Sequence, residues 1–355
     1  MEKRCALTRL IICYFLCLSL IITTIYGLIT QPKILNKSSI FAISFADNVL
    51  VFKSPTSTPA QNENLSSIET ETSQITPPNV NSNSSILTSA TAVKGNVIEK
   101  YISPYTAPLS YNGVYVKNNT PLNINIKNLI LSTKNLKILK NNQPEVLIIH
   151  THATETFLLS DSKTYGDGYN SRTTDKTKNM VAVGEIVAKK LNSAGIKTLH
   201  DTTLHDYPNY SGSYSRSANT INSYLKKYKS IKIVLDLHRD SVTVSGSDKA
   251  KLVTKINGKK AAQVMIVMGS QSQGAKNHPN WQENLKLALK LQQTIEAKYP
   301  TLARPLSITT GKYNQNLSTG AMLIEFGTDM NSLDEVKYSA ELVGESLVSL
   351  LNTLK

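Results

Sequence analysis

From Pro144 to the C-terminus, short apolar runs alternate with longer stretches whose apolar residues recur at helical spacing. The runs VLIIH (146–150), IKTLHD (196–201), IKIVLDLHRD (231–240), AAQVMIVMG (261–269) and AMLIEFG (321–327) read as strands. Segments 179–195, 215–228, 280–299 and 332–354 read as amphipathic helices, the first closing on Gly195. Alternation of this kind predicts an α/β fold: a mixed, mostly parallel sheet with helices on both faces. In such sheets the working residues gather beyond the carboxyl ends of the strands.

The pattern is absent upstream. Residues 98–143 form a lead-in with short strand-like pieces such as LNINIKNLILST. Residues 31–97 form a low-complexity linker, rich in Ser, Thr, Asn and Pro from about residue 54, that cannot bury enough apolar surface to offset its ordering entropy. Within it, SIFAISFADNVLVF has strand-like apolar content without an assignable element. Leu10 to Ile29 carry no charge and match the thickness of a bilayer's hydrocarbon core. Lys3, Arg4 and Arg9 precede that run, so residues 1–9 are expected in the cytoplasm and residues 10–30 as an uncleaved transmembrane anchor. The domain from 144 to 355 would then lie outside the cytoplasm.

Composition narrows the chemistry. The net charge of +14 favours polyanionic partners, yet there is no zinc-finger spacing, arginine-rich helix or aromatic RNA-binding strand pair, so nucleic acid is not expected. Cys5, Cys13 and Cys17 are the only cysteines, which removes disulfides, thiolate zinc sites and cysteine nucleophiles from the rest of the chain. No G-x-S-x-G elbow supports a serine hydrolase.

Three strands end alike. VLIIHTH delivers His152, IVLDLH delivers His238, and AMLIEFG carries Glu325. Two imidazoles and a carboxylate suit zinc with a free fourth position, and a further carboxylate would serve as general base. Glu325 stands out because an ionised carboxylate among apolar strand residues is costly to bury unpaired. His200 and His205 are loop histidines that could also take metal, and His278 reads as a helix-capping or surface residue.

The segments IIHTHATETF, HDYPNYSGSYSRS, IVLDLHRDS, KYNQNLS and LIEFGTDMNS together resemble the stage II sporulation protein P family, over about residues 144–335. That family is similar to zinc-dependent N-acetylmuramoyl-L-alanine amidases. The resemblance implies His238 as a zinc ligand, Glu325 as the catalytic carboxylate, His152 as the second ligand and Glu155 as the third. Ala153 and Thr154 replace the glycines of the amidase loop, which leaves His150 open in place of His152. Asp175 is likewise open in place of Glu155. Arg239, Asp240, Arg304 and Asn314 are expected to shape the substrate side or support the ligands, without an assigned role for each.

The activity so implied is cleavage of the N-acetylmuramoyl-L-alanine amide of peptidoglycan with Zn2+, and also of peptide cross-links, during engulfment of the forespore. Stage II sporulation proteins D and M are the implied partners, and the space between mother-cell and forespore membranes the implied location. The rival expectation is a non-catalytic scaffold whose basic domain holds the anionic wall.

Overall fold

The structure is a computed structural model that describes residues 92–132, 136–139, 141–272 and 277–354. The expected anchor, and the linker up to residue 91, lie outside the described residues. Among the described residues no helix is long and apolar enough to cross a membrane.

In chain order the strands are β1 (Val93–Lys100), β2 (Leu109–Tyr111), β3 (Val114–Asn118), β4 (Val146–Ile149), β5 (Thr164–Gly166), β6 (Thr198–His200) and β7 (Ile233–Asp240). They continue as β8 (Val242–Ser245), β9 (Asp248–Ile256), β10 (Lys259–Ala262), β11 (Val264–Gly269), β12 (Leu306–Thr309) and β13 (Ala321–Thr328). The helices are α1 (Ile126–Leu131), α2 (Met180–Ser193), α3 (Ser213–Lys227), α4 (Trp281–Lys298) and α5 (Leu333–Asn352).

The main sheet runs β2-β3-β12-β11-β13-β7-β4-β6. Its pairs are parallel except β2 with β3 and β11 with β13. Side chains of a strand alternate between faces, and the packing follows that rule. Val146, Ile148, Ile233 and Leu235 join α2, α4 and α5 in the large core, while Leu147, Ile149 and Val234 pack against Ile221 of α3. Helices therefore cover both faces, as the pattern predicts.

Three features depart from the pattern. β1 begins at Val93, inside the stretch read as linker, and in the lead-in β2 and β3 join the main sheet, β2 as its edge, while LNINIKNLILST carries the helix α1 in place of the strand-like piece expected. A second sheet, β10-β9-β1-β5 with β8 on β9, was not legible as a unit. The run 261–269 is also not one strand. It breaks at Gln263, whose buried amide accepts from the Ile102 N–H and donates to the Ile102 and Thr301 carbonyls, turning the chain from one sheet into the other.

Helix ends are set locally. α2 starts on Asn179, whose side chain accepts from the Val181 N–H, and stops where Gly195 takes φ +77°. α5 opens with a capping box between Ser332 and Glu335.

Candidate active site

β4 leads into the loop HTHATETF, and three buried threonines lock that loop. Thr151 donates through its N–H and hydroxyl to the two carboxylate oxygens of Asp236 in β7, at 2.8 and 2.6 Å. Thr154 does the same to Asp206, and the Thr156 hydroxyl donates to the Lys178 carbonyl. The buried guanidinium of Arg239 donates to the Thr156, Asp240 and Ser171 carbonyls. This pins the loop to the end of β7. Arg239 is a bracket holding the loop.

On this frame His152, Glu155, His238 and Glu325 come together. The rings of His152 and His238 meet edge to face with centroids 5.2 Å apart. Glu155 Oε2 accepts from the Arg239 N–H at 3.2 Å and lies 3.7 Å from His238 Nδ1. Glu325 is in register with His238 on the neighbouring strand, just before the bulge that Gly327 makes with φ +61°. Tyr210 stacks on His152 at 4.6 Å and its hydroxyl contacts His152 Nε2 at 3.2 Å. Arg172 lies over Tyr210 and pairs with Asp206 and Glu155, and Tyr214 packs edge-on against His152.

Burial dominates the electrostatics. It lowers His152 to about 4, assisted by the neighbouring His238. At His238 burial opposes the charged ring, but the carboxylates of Asp236, Glu155 and Glu325 outweigh it and hold the imidazole up to about 10. Burial pushes Glu325 up to about 8, with His238 pulling the other way. Tyr214 is raised by burial and by the site's carboxylates, so its hydroxyl stays protonated.

The donor set fits zinc in kind: imidazole nitrogens and carboxylate oxygens with no thiolate. Among the described residues His152 Nδ1 and Glu325 Oε2 are buried without a hydrogen-bond partner, as is His238 Nε2, which lies 2.9 Å from Asp236 Oδ1 without hydrogen-bond alignment. Buried polar atoms are seldom left so, and a cation is one group that satisfies them. Among the described residues, however, no three His, Cys, Asp or Glu side chains are gathered closely enough to hold an ion. A proton and a metal would also compete for His238.

The alternatives fall elsewhere. His150 is fully buried, its Nδ1 3.1 Å from the Leu237 carbonyl and its Nε2 2.9 Å from His200 Nε2, and so faces away from His152. Asp175 closes a turn with Thr177 and pairs with Lys178. His200 also contacts Glu185, and His205 lies between the His150 carbonyl and Thr220. His278 is buried, contrary to the surface reading. Asn314 donates to the Tyr214 carbonyl and Ser217 hydroxyl, which holds the start of α3. The reading of the sequence missed Asp236, although the argument that singled out Glu325, a carboxylate in an apolar strand, applies equally to LDL. Tyr210, Tyr214 and Arg172 gave no such signal.

The class defined so far is a mixed α/β domain with a cluster of histidines and carboxylates at the carboxyl edge of its main sheet. The profile of the stage II sporulation protein P family matches residues 34–348, and the chain belongs to that family. Stage II sporulation protein P of Bacillus subtilis (strain 168) is 31% identical over 212 residues, 56% of this chain and 49% of that protein. The chain thus spans about half the length of this relative. Solved structures with likeness are amidases of low identity. The CwlD amidase of Clostridioides difficile in complex with the GerS lipoprotein is 10% identical, covering 59% of this chain and 98% of that one with a TM-score of 0.37. The N-acetylmuramoyl-L-alanine amidase AmiC2 of Nostoc punctiforme is 12% identical over 59% of this chain and 96% of its own, with a TM-score of 0.35.

Proposed function

We propose that this protein is a peptidoglycan hydrolase that cuts the amide between the muramoyl lactyl group and the first stem-peptide residue, with peptide cross-links as a second target. The observation that carries this reading is the cluster itself: His152, Glu155, His238 and Glu325, from three separate segments, converge at one sheet edge in a chain of this family. His152, Glu155 and His238 would hold Zn2+ only after their side chains draw closer together than they stand here. When bound, zinc polarises the scissile carbonyl and makes water a better nucleophile at neutral pH.

Glu325 accepts the proton of the attacking water and delivers it to the leaving amine. Asp236 orients the His238 ring, and Arg239 and Arg172 fix the Glu155 carboxylate. The tyrosines at the mouth, Tyr210 and Tyr214, wall the substrate side. The apolar run 10–30 would anchor the chain in a membrane, with the domain in the space between mother-cell and forespore membranes. Stage II sporulation proteins D and M would be its partners during engulfment.

The test uses full-length protein in neutral detergent with isolated peptidoglycan, reading released amine ends beside sedimentation with the wall. Glu325→Gln keeps the side chain's shape and removes the base. Cleavage should fall about 10²–10⁴-fold while wall binding and metal content stay unchanged. Wild-type turnover in the variant would remove Glu325 from the mechanism. No turnover by either form, with the partners supplied, would favour the scaffold.

A further inference from the structure

Arg304 is only 3% exposed, and its guanidinium is unevenly satisfied. Nη1 is 2.9 Å from Asp240 Oδ2, while Nε and Nη2 are buried with no hydrogen-bond partner among the described residues. Leaving two donors of a buried cation unpaired is costly unless another state of the molecule uses them. The geometry shows where they are aimed. Ala303 bridges to Val264 and the Arg304 N–H donates to the Val264 carbonyl, so the side chain starts beside β11. It ends on Asp240 of β7. β13 lies between β11 and β7, and Glu325 is its residue in register with Met265 on one side and His238 on the other. Val264 pairs with Phe326 and Asp240 with Thr328, so the guanidinium crosses the end of β13 one to three residues past Glu325. Glu325 Oε2 is the matching buried acceptor, also without a partner, and the positive charge of Arg304 acts on that carboxylate. Substrate cannot reach nitrogens buried this completely.

We infer that Arg304 is a positioning residue for Glu325: held by Asp240 through Nη1, it offers its two free nitrogens to Glu325 Oε2 and fixes that carboxylate in the orientation that handles the proton. This rests on the reading of Glu325 as the proton-transfer group. Arginine suits the task because one planar fork serves two carboxylates, which a lysine ammonium cannot do as well.

The experiment compares Arg304→Met, Arg304→Lys and the double variant Asp240→Asn/Arg304→Met in the full chain, measuring kcat and KM on muropeptide, metal content and the thermal midpoint. The expected result for Arg304→Met is a kcat lowered on the order of 10²-fold, the scale for a misplaced catalytic group, with KM and metal content unchanged. Arg304→Lys should recover part of the loss. The double variant is decisive, and it also covers the case in which Arg304→Met alone fails to fold because Asp240 is left buried and unpaired. If Arg304 orients Glu325, the double variant stays slow. If it only neutralises Asp240, removing both charges restores wild-type kcat and the inference is overturned. Wild-type kcat in Arg304→Met overturns it too, while the hydrolase reading stands. An inactive wild-type protein would overturn both.

Discussion

His238 sits where most of the site's charge converges, with Asp236 at Nε2, Glu155 at Nδ1 and Glu325 on the adjoining strand. Its removal should therefore be felt by the metal before it is felt by the fold. His238→Ala is expected to lose bound zinc and nearly all cleavage, with elemental analysis of the purified variant as the check. Retention of one metal per chain at unchanged affinity would exclude it from the ligand set. His152, His238 and Glu325 were legible because each breaks a local rule, a histidine ending an apolar strand or a carboxylate within one, whereas Glu155 came from the family resemblance. The role of Arg304 and the presence of Tyr210 were not legible, because an arginine or a tyrosine in a loop breaks no rule until its surroundings are known.

At the scale of elements, α2 shows how a helix is fitted to the sheet beneath it. Gly184 lies mid-helix, where glycine ordinarily weakens the helix by about 0.5–1 kcal/mol relative to alanine. Here the missing side chain has a reason: a Cβ would stand 2.5 Å from His200 Nε2 and 2.6 Å from His150 Nε2. The helix packs directly over the imidazole pair that ends β4 and β6. Gly184→Ala should therefore destabilise, by about 1–3 kcal/mol from overpacking, despite the better helix propensity. Chemical denaturation reads the sign, and a stabilised variant would mean that the two rings move aside freely. Strand positions were legible from their apolar runs, whereas the turn at Gln263 was not. A buried amide that caps one sheet and opens another leaves the apolar pattern unbroken.

For the whole molecule, buried neutral histidines link stability to pH. Burial lowers His150 from 6.5 to about 3, with the neighbouring His200 adding to the effect. Above pH 6.5 the ring is neutral in both folded and unfolded chains, and its contribution is complete. As pH falls from 6.5 towards 3 the unfolded chain binds a proton that the folded one refuses, so stability is lost progressively at up to about 1.4 kcal/mol per pH unit. Below the folded value no more is lost from this group. His150→Gln should flatten that limb in denaturant titrations across the acid range, and an unchanged slope would show that other groups govern it.

Family resemblance brought in Glu155, while the sequence by itself determined the fold class, the main strands and His152, His238 and Glu325 as candidates. These follow from periodicity and from the cost of burying a charge, both of which act along a single segment. Only the tertiary structure shows that His152 lies beside His238 while His150 faces His200 and Leu237, because alternate positions along a strand differ in what stands opposite them. It also decided that β1 belongs to the domain and that the lead-in closes the sheet, since an edge strand takes its place from a partner far away in the chain. The same holds for the guanidinium of Arg304. Its two unpaired nitrogens have meaning only through Asp240 and Glu325, which pairing between distant strands brings to its side.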